Sequence, residues 1–212
     1  MTKFIFNSLS LVLLATGVAM AQDKIPLETK LPDPLFVGTP VPINIPNLEP
    51  KLKKFPTFEV PVGTVNLAKG KKVTASDSDP VVGTLDLVAD GDKAGDEGSW
   101  VELSQGKQWV QIDLENDANI YAVVVWHYHS QERAYRDVVV QVSDDPKFEK
   151  DVTTIYDNSA AGKNQPYVES YFGKLMDAKG VKGRYVRLYS NGNTTNKMNH
   201  YIEVEVFGKP AA

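Results

Sequence analysis

Residues 183–208, GRYVRLYSNGNTTNKMNHYIEVEVFG, contain two runs of strict alternation, and that period leaves little choice of fold. Successive side chains of a β-strand point to opposite faces. Tyr185, Arg187 and Tyr189 therefore share one face of the first run, and Val186 and Leu188 the other. In the second run Ile202, Val204 and Val206 oppose Tyr201, Glu203, Glu205 and Phe207. Both runs predict strands. Between them residues 190–200 carry four Asn, two Thr and a Gly, a composition that belongs to a surface loop at one end of a sheet.

The same texture extends back to Val65. In residues 109–114 (WVQIDL), Trp109, Gln111 and Asp113 oppose Val110, Ile112 and Leu114. Residues 120–129 (IYAVVVWHYH) are the most apolar strand, 138–143 alternate again, and 152–156 and 168–175 are shorter candidates, with a loop at 157–165. No stretch holds a helical period, and no 20–50-residue unit repeats. Many short strands separated by turn clusters predict an all-β chain folded as an antiparallel β-sandwich.

The ordered set of short motifs resembles the discoidin (coagulation factor 5/8 type C) family, which includes many carbohydrate-binding modules. Residues 66–76 (NLAKGKKVTAS) resemble its first strand, and RYVRLYS followed by EVEVFG its closing strands. In family order between them stand Ala89-Asp-Gly-Asp92, Ser99-Trp100, residues 109–114 and residues 140–145 (VQVSDD). The resemblance covers about residues 64–209 and implies a galactose-binding-like jelly-roll of about eight strands. It also implies that Trp109 is a core residue; Trp100 and Trp109 are both expected to pack rather than stack on ligand.

Ahead of this domain, residues 1–21 carry Lys3, a short apolar run and Ala19-Met-Ala21. That pattern predicts a cleaved secretory signal, hence a secreted or periplasmic protein. The apolar run is shorter than the roughly 20 residues of a membrane span, and no later stretch reaches that length. With no Cys, the chain relies on packing rather than disulfides and has no lipoprotein anchor. A formal charge of −4 argues against a nucleic-acid surface.

Residues 22–62 hold nine of the 13 prolines. Proline fixes φ and lacks an amide donor, so this arm is expected to be extended rather than helical. Interleaved apolar residues, including Phe55 and Phe58, predict that 55–62 lie along the domain, which spans 63–209, while the rest is a semi-rigid tether.

Two regions carry chemistry. Residues 85–100 place Asp90, Asp92, Asp96 and Glu97 among three glycines, a set that suits either a solvated turn or a hard cation such as Ca²⁺. The resemblance implies a structural Ca²⁺ with Asp90, Asp92 and Glu203 as ligands and either Ser99 or Asp96 as a further oxygen. His127 and His129, at i and i+2, are expected on one face, and with His200 they could converge on a transition metal; the rival reading is polar rim residues.

The second region is a polar loop set. Family members that bind sugars use His, Arg, Asn and an aromatic ring from loops at one end of the sandwich. The corresponding types here are His127, Tyr128, His129, Arg133 and Arg136 in one segment and Asn191, Asn193, Asn199 and His200 in the other. No G-x-S-x-G or P-loop motif is present. The expected function is non-catalytic glycan binding, with a structural or interaction domain of an extracytoplasmic assembly as the alternative and an extracytoplasmic protein as its partner.

Overall fold

A computed structural model describes residues 23–159, 167–169 and 171–211. The expected signal segment 1–21 and residues 160–165 of the expected loop lie outside the described residues. Strands dominate: β1 (Lys24–Pro26), β2 (Glu59–Pro61), β3 (Val65–Asn66), β4 (Lys72–Ala75), β5 (Val101–Leu103), β6 (Lys107–Trp126), β7 (Ala134–Tyr135), β8 (Val139–Ser143), β9 (Thr153–Asp157), β10 (Val168–Glu169), β11 (Lys174–Asn191), β12 (Asn199–Tyr201) and β13 (Glu203–Pro210). A short 3₁₀ turn spans Leu85–Ala89. All strand pairs are antiparallel.

Residues 109–114 and 120–126, read above as separate strands, are one continuous strand, β6, that bends. Glu115 breaks it at φ 70°, and β11 answers with register shifts between Asp177 and Val181 and between Gly183 and Tyr185. The first half of β6 pairs with β4 and the second with β13, while β11 runs beside both halves. The ribbon thereby folds the sheet into two layers. One layer contains β9, β8, the end of β11, the start of β6 and β4. The other contains the start of β11, the end of β6, β13 and β3.

Alternation decides what lies between the layers. Val110, Ile112, Val140, Val186 and Leu188 from the first meet Val123, Val125, Met176, Val204 and Val206 from the second in one core. The jelly-roll sandwich expected from the sequence is therefore present.

The outer faces differ from expectation in two ways. On the first layer, Trp109 is not a core residue. It lies half-buried on the outside, with the Arg187 guanidinium 4.3 Å above its ring and 4.1 Å from the Phe148 ring. Arg187 also donates to Gln111 Oε1 (2.8 Å from Nε) and to the Pro146 carbonyl at 3.0 Å.

On the second layer, the arm is a strap rather than a tether. β1 and β2 pair, and Leu27, Phe55 and Phe58 pack on Ala122, Val124, Trp126, Ile202 and Phe207. Contact extends well beyond residues 55–62: the Val41 amide donates to the His129 carbonyl at 2.8 Å, and Glu49 forms an ion pair with Lys174. Burying Ile202 beneath this cover is worth roughly 2 kcal/mol.

A bend at Ile202 explains its place. It separates β12 from β13, so Ile202 joins the outer cluster instead of sharing the inner face of Val204 and Val206. Glu203 and Glu205, on the face that alternation marks as polar, are buried under the arm and the 90–100 loop.

Candidate functional site

The loops following the 3₁₀ turn, β6 and β11 converge at one end of the sandwich. There the Arg133 guanidinium lies 4.8 Å over the Tyr128 ring, and its Nη2 donates to Gln131 Oε1 at 2.9 Å. Trp100 packs against the opposite part of Tyr128, centroids 4.8 Å apart. His200 is the hub beneath. Its Nε2 lies 2.7 Å from Arg133 Nη1 and 2.6 Å from Glu102 Oε2, and its Nδ1 3.0 Å from the Tyr135 hydroxyl.

Burial, with the Arg133 charge second, lowers the His200 ring to about 3. The ring is therefore neutral and carries one proton. With that proton on Nδ1 it donates to Tyr135 and accepts from Arg133; with it on Nε2 it donates to Glu102 and accepts from Tyr135. Either way a cation and a carboxylate meet at one nitrogen beside an aromatic surface. Asn196 Nδ2 reaches the same Glu102 oxygen at 3.5 Å. The Tyr128 ring is itself buried beneath Arg133 and Trp100, so what the surface presents is the Arg133 donors and the Glu102 acceptor.

Of the nine residues expected to contact ligand, Tyr128, Arg133 and His200 are brought together. The others are elsewhere or occupied. His127 is buried, stacked on Tyr135 at 4.1 Å, and its Nδ1 donates to the His200 carbonyl at 2.8 Å; burial lowers it to about 4. Asn199, fully buried, accepts from Ser190 and Gly192 and donates to the carbonyls of Ser104 and Gly106. Asn193 builds the loop's own turns, donating to Met198 and accepting from Thr195. Asn191 donates to Asp137 at 2.6 Å, next to exposed Arg136, whose amide donates to the Gly192 carbonyl.

The three histidines do not converge as a metal set. β6 ends at Trp126, so strand parity fails for His127 and His129. His127 turns to Tyr135 and Tyr201, whereas His129 turns outward, its Nε2 donating to the Lys93 carbonyl at 2.9 Å. Among the described residues no group of three or more His, Cys, Asp or Glu is placed to hold a metal. Glu102 and Gln131 went unrecognised in the sequence. The one signal for Glu102 is alternation in Trp100-Val-Glu102, which sets it on the face of Trp100.

The acidic loop is anchored on the two buried glutamates. The Gly91 amide donates to Glu203 Oε2 at 3.0 Å, while Oε1 is buried without a hydrogen-bond partner. Desolvation raises Glu203 to about 9, and the charges of Glu205 and Asp90 push the same way. Desolvation also raises Asp90. Asp92 Oδ1 accepts from the Ala94 amide, and Ser99 Oγ donates to Asp96. The Asp90 charge acts on Glu203, so the two carboxyls lie close enough to interact. Asp90, Asp92 and Ser99 are all engaged in the loop's own turns, Asp90 Oδ1 accepting from the Asp92 amide at 2.7 Å.

A two-layer antiparallel sandwich with polar loops gathered at one end is the architecture of galactose-binding-like modules. The F5/8 type C domain matches residues 72–204, and this chain belongs to that family. No curated protein matches the sequence. Among solved structures, chitosan-binding module 1 from a Paenibacillus sp. IK-5 chitosanase/glucanase shares 20% identity at TM-score 0.54, covering 68% of this chain and 99% of that one. A Streptococcus pneumoniae fucose-binding module shares 23% at 0.52, with 67% and 96% covered. A Clostridium perfringens family 89 glycoside hydrolase shares 22% at 0.52, over 69% of this chain but 15% of its own. At these identities the likeness establishes the fold.

Proposed function

We propose that this protein is an exported, non-catalytic carbohydrate-binding module that takes glycans on the Arg133 end of the sandwich, with a structural Ca²⁺ under the acidic loop. The observation that carries the reading is Arg133, held over Tyr128 and against His200 with Glu102 on the same nitrogen. A sugar hydroxyl can replace one arm of that junction without leaving a buried charge unpaired, because Arg133 and Glu102 are both partly solvent-exposed. The neighbouring carbohydrate-binding modules support glycans as the ligand class. Export rests on the segment 1–21.

Asp90 and Glu203 would hold the cation. It would neutralise their carboxylates, which otherwise resist ionisation. Its role there is to fix the loop; no chemistry on the sugar is assigned to it.

A glycan array on the mature protein, run with Ca²⁺ and again with chelator, tests this. Binding that Arg133→Ala abolishes is the expected result. A folded protein that binds nothing on a broad array refutes the reading.

A second reading, an interaction domain of an extracytoplasmic assembly, draws on the arm. At its tip Leu35, Phe36 and Val37 are 42%, 57% and 102% exposed, on a turn fixed by the Thr39 hydroxyl, which donates to the Phe36 carbonyl. Loss of partner capture in a Phe36→Ser/Val37→Ser variant, with Arg133→Ala unaffected, would favour it.

A further inference from the structure

Lys93 touches the arm, the sheet and the segment that leads into the candidate glycan end. Its buried ammonium donates to Glu205 Oε1 and to Thr29 Oγ1, each at 2.9 Å. Thr29, from the arm, donates onward to Glu205 Oε2 at 2.7 Å, and the Trp126 indole N–H reaches that oxygen at 3.3 Å. The backbone carbonyl of the same lysine accepts from His129 Nε2. His129 in turn offers its own carbonyl to the arm through Val41. One residue on, the cleft beside the loop is shared by residues 30–33 of the arm and 91–94.

The binding end follows directly in the chain. His129 leads into Ser130, whose hydroxyl donates to the Gly95 carbonyl at 2.6 Å, and then to Gln131 and Arg133. The fit leaves no slack at Gly95: a Cβ there would stand 2.9 Å from Ile202 and Ser130 and 3.0 Å from His129. A loop with positive φ at Gly91, Gly95 and Gly98 is costly to order, so its anchors decide its shape. The buried Lys93–Glu205 pair holds only while its remaining hydrogen bonds are met, and Thr29 meets one for each partner.

We propose that docking of the N-terminal arm sets the shape of the glycan-binding end through Lys93, making Thr29 and Lys93 positioning residues for a site that neither touches. This rests on the glycan reading above. The family match begins at residue 72, so the arm lies outside it.

Thr29→Val in the full-length mature protein tests the coupling. It keeps the Lys93–Glu205 pair while removing the hydroxyl. Lys30→Ala, which opens an exposed 3.7 Å ion pair with Asp33, is the control. Three readouts are taken: trypsin cleavage at exposed Lys51, Lys53 and Lys54; amide hydrogen exchange over 91–95 and 127–131; and binding to immobilised galactose, fucose and chitosan.

Loss of these hydrogen bonds is expected to speed arm cleavage and exchange in both segments by about tenfold. Binding to whichever probe the wild type takes should weaken by a similar factor, and a bound probe should slow arm cleavage in return. Lys93→Met with Glu205→Gln, which leaves no unpaired buried charge, should reproduce the loosening.

A Thr29→Val protein whose arm is cut faster while exchange over 127–131 stays at the wild-type rate would overturn the coupling. So would a variant with unchanged cleavage and exchange. If the wild type takes none of the three probes, exchange alone decides the coupling, and the glycan reading is decided separately by the broad array.

Discussion

The Gly91 amide reaches across the fold to Glu203 Oε2 at 3.0 Å, fixing one carboxylate oxygen and leaving the other buried without a partner. Glu203 is raised to about 9 against an ordinary 4.5. A carboxyl whose folded pKa is raised contributes stability that is full below the unfolded value and lost as pH rises toward the folded one. Without cation, stability should therefore decline from pH 4.5 to 9, and Glu203→Gln should flatten that limb. Ca²⁺ at a hundredfold excess over Kd should raise the wild-type Tm by roughly 5–10 °C. Glu203→Gln should lose that gain; thermal unfolding with Ca²⁺ and with chelator checks it. An equal Ca²⁺ response in both proteins would place the ion elsewhere.

The histidines act with the opposite sign. Burial lowers His127 to about 4 and His200 to about 3, and it lowers His129 as well. Between pH 6.5 and about 4 the unfolded chain takes up protons that the folded chain refuses, so stability falls as the pH falls. Each such group contributes up to about tenfold in the folding constant per pH unit. The imidazole resonances of His127 and His200 should stay flat from pH 8 to 5 by NMR, and the His129 midpoint should lie below its ordinary value. A midpoint near 6.5 for His200 would show that its ring is not held as described.

Arg133→Lys should fail almost as badly as Arg133→Ala. The planar fork meets His200 with one nitrogen and Gln131 with the other while its plane lies on Tyr128, which a single ammonium cannot do. Glycan affinity should drop about tenfold or more in both, with Tm held within a few degrees, since the residue is partly exposed. Isothermal titration alongside thermal unfolding separates the two effects. Wild-type affinity in Arg133→Lys would mean that charge alone suffices.

Arg187 should behave in the reverse manner. It is buried between Trp109 and Phe148 and bonded to Gln111, so Arg187→Met should destabilise the fold by about 2–3 kcal/mol. It lies on the outer sheet face rather than among the end loops, so binding by the folded fraction should not change. Denaturant unfolding and the same titration are the measurements.

The strands were legible because their signal is local. Alternation in residues 109–114, 138–143 and 184–189 predicts their inner faces, and the core contains Val110, Ile112, Val140, Val186 and Leu188 as expected. The join between 114 and 120 was not legible, because Glu115 turns the chain without a glycine or proline to mark it. Ile202 was misread for a related reason: one bent residue inverts strand parity, and nothing in its identity announces the bend.

The candidate site was legible only in its residue types. Composition flagged His, Arg and Asn together, yet Asn199 and His127 are spent on buried bonds, while Glu102 completes the Arg133 junction from strand β5.

By itself the sequence determined an all-β sandwich, a separate proline-rich arm and a polar loop end, since each follows from periodicity or composition within a few neighbouring residues. Only the tertiary structure decided which polar groups are satisfied by one another and which remain for a ligand. Thr29, Lys93 and Glu205 are separated by 64 and 112 residues, and their meeting depends on how the arm crosses the sheet. Hydrogen bonding between buried groups is a property of that closure, and no local pattern encodes it.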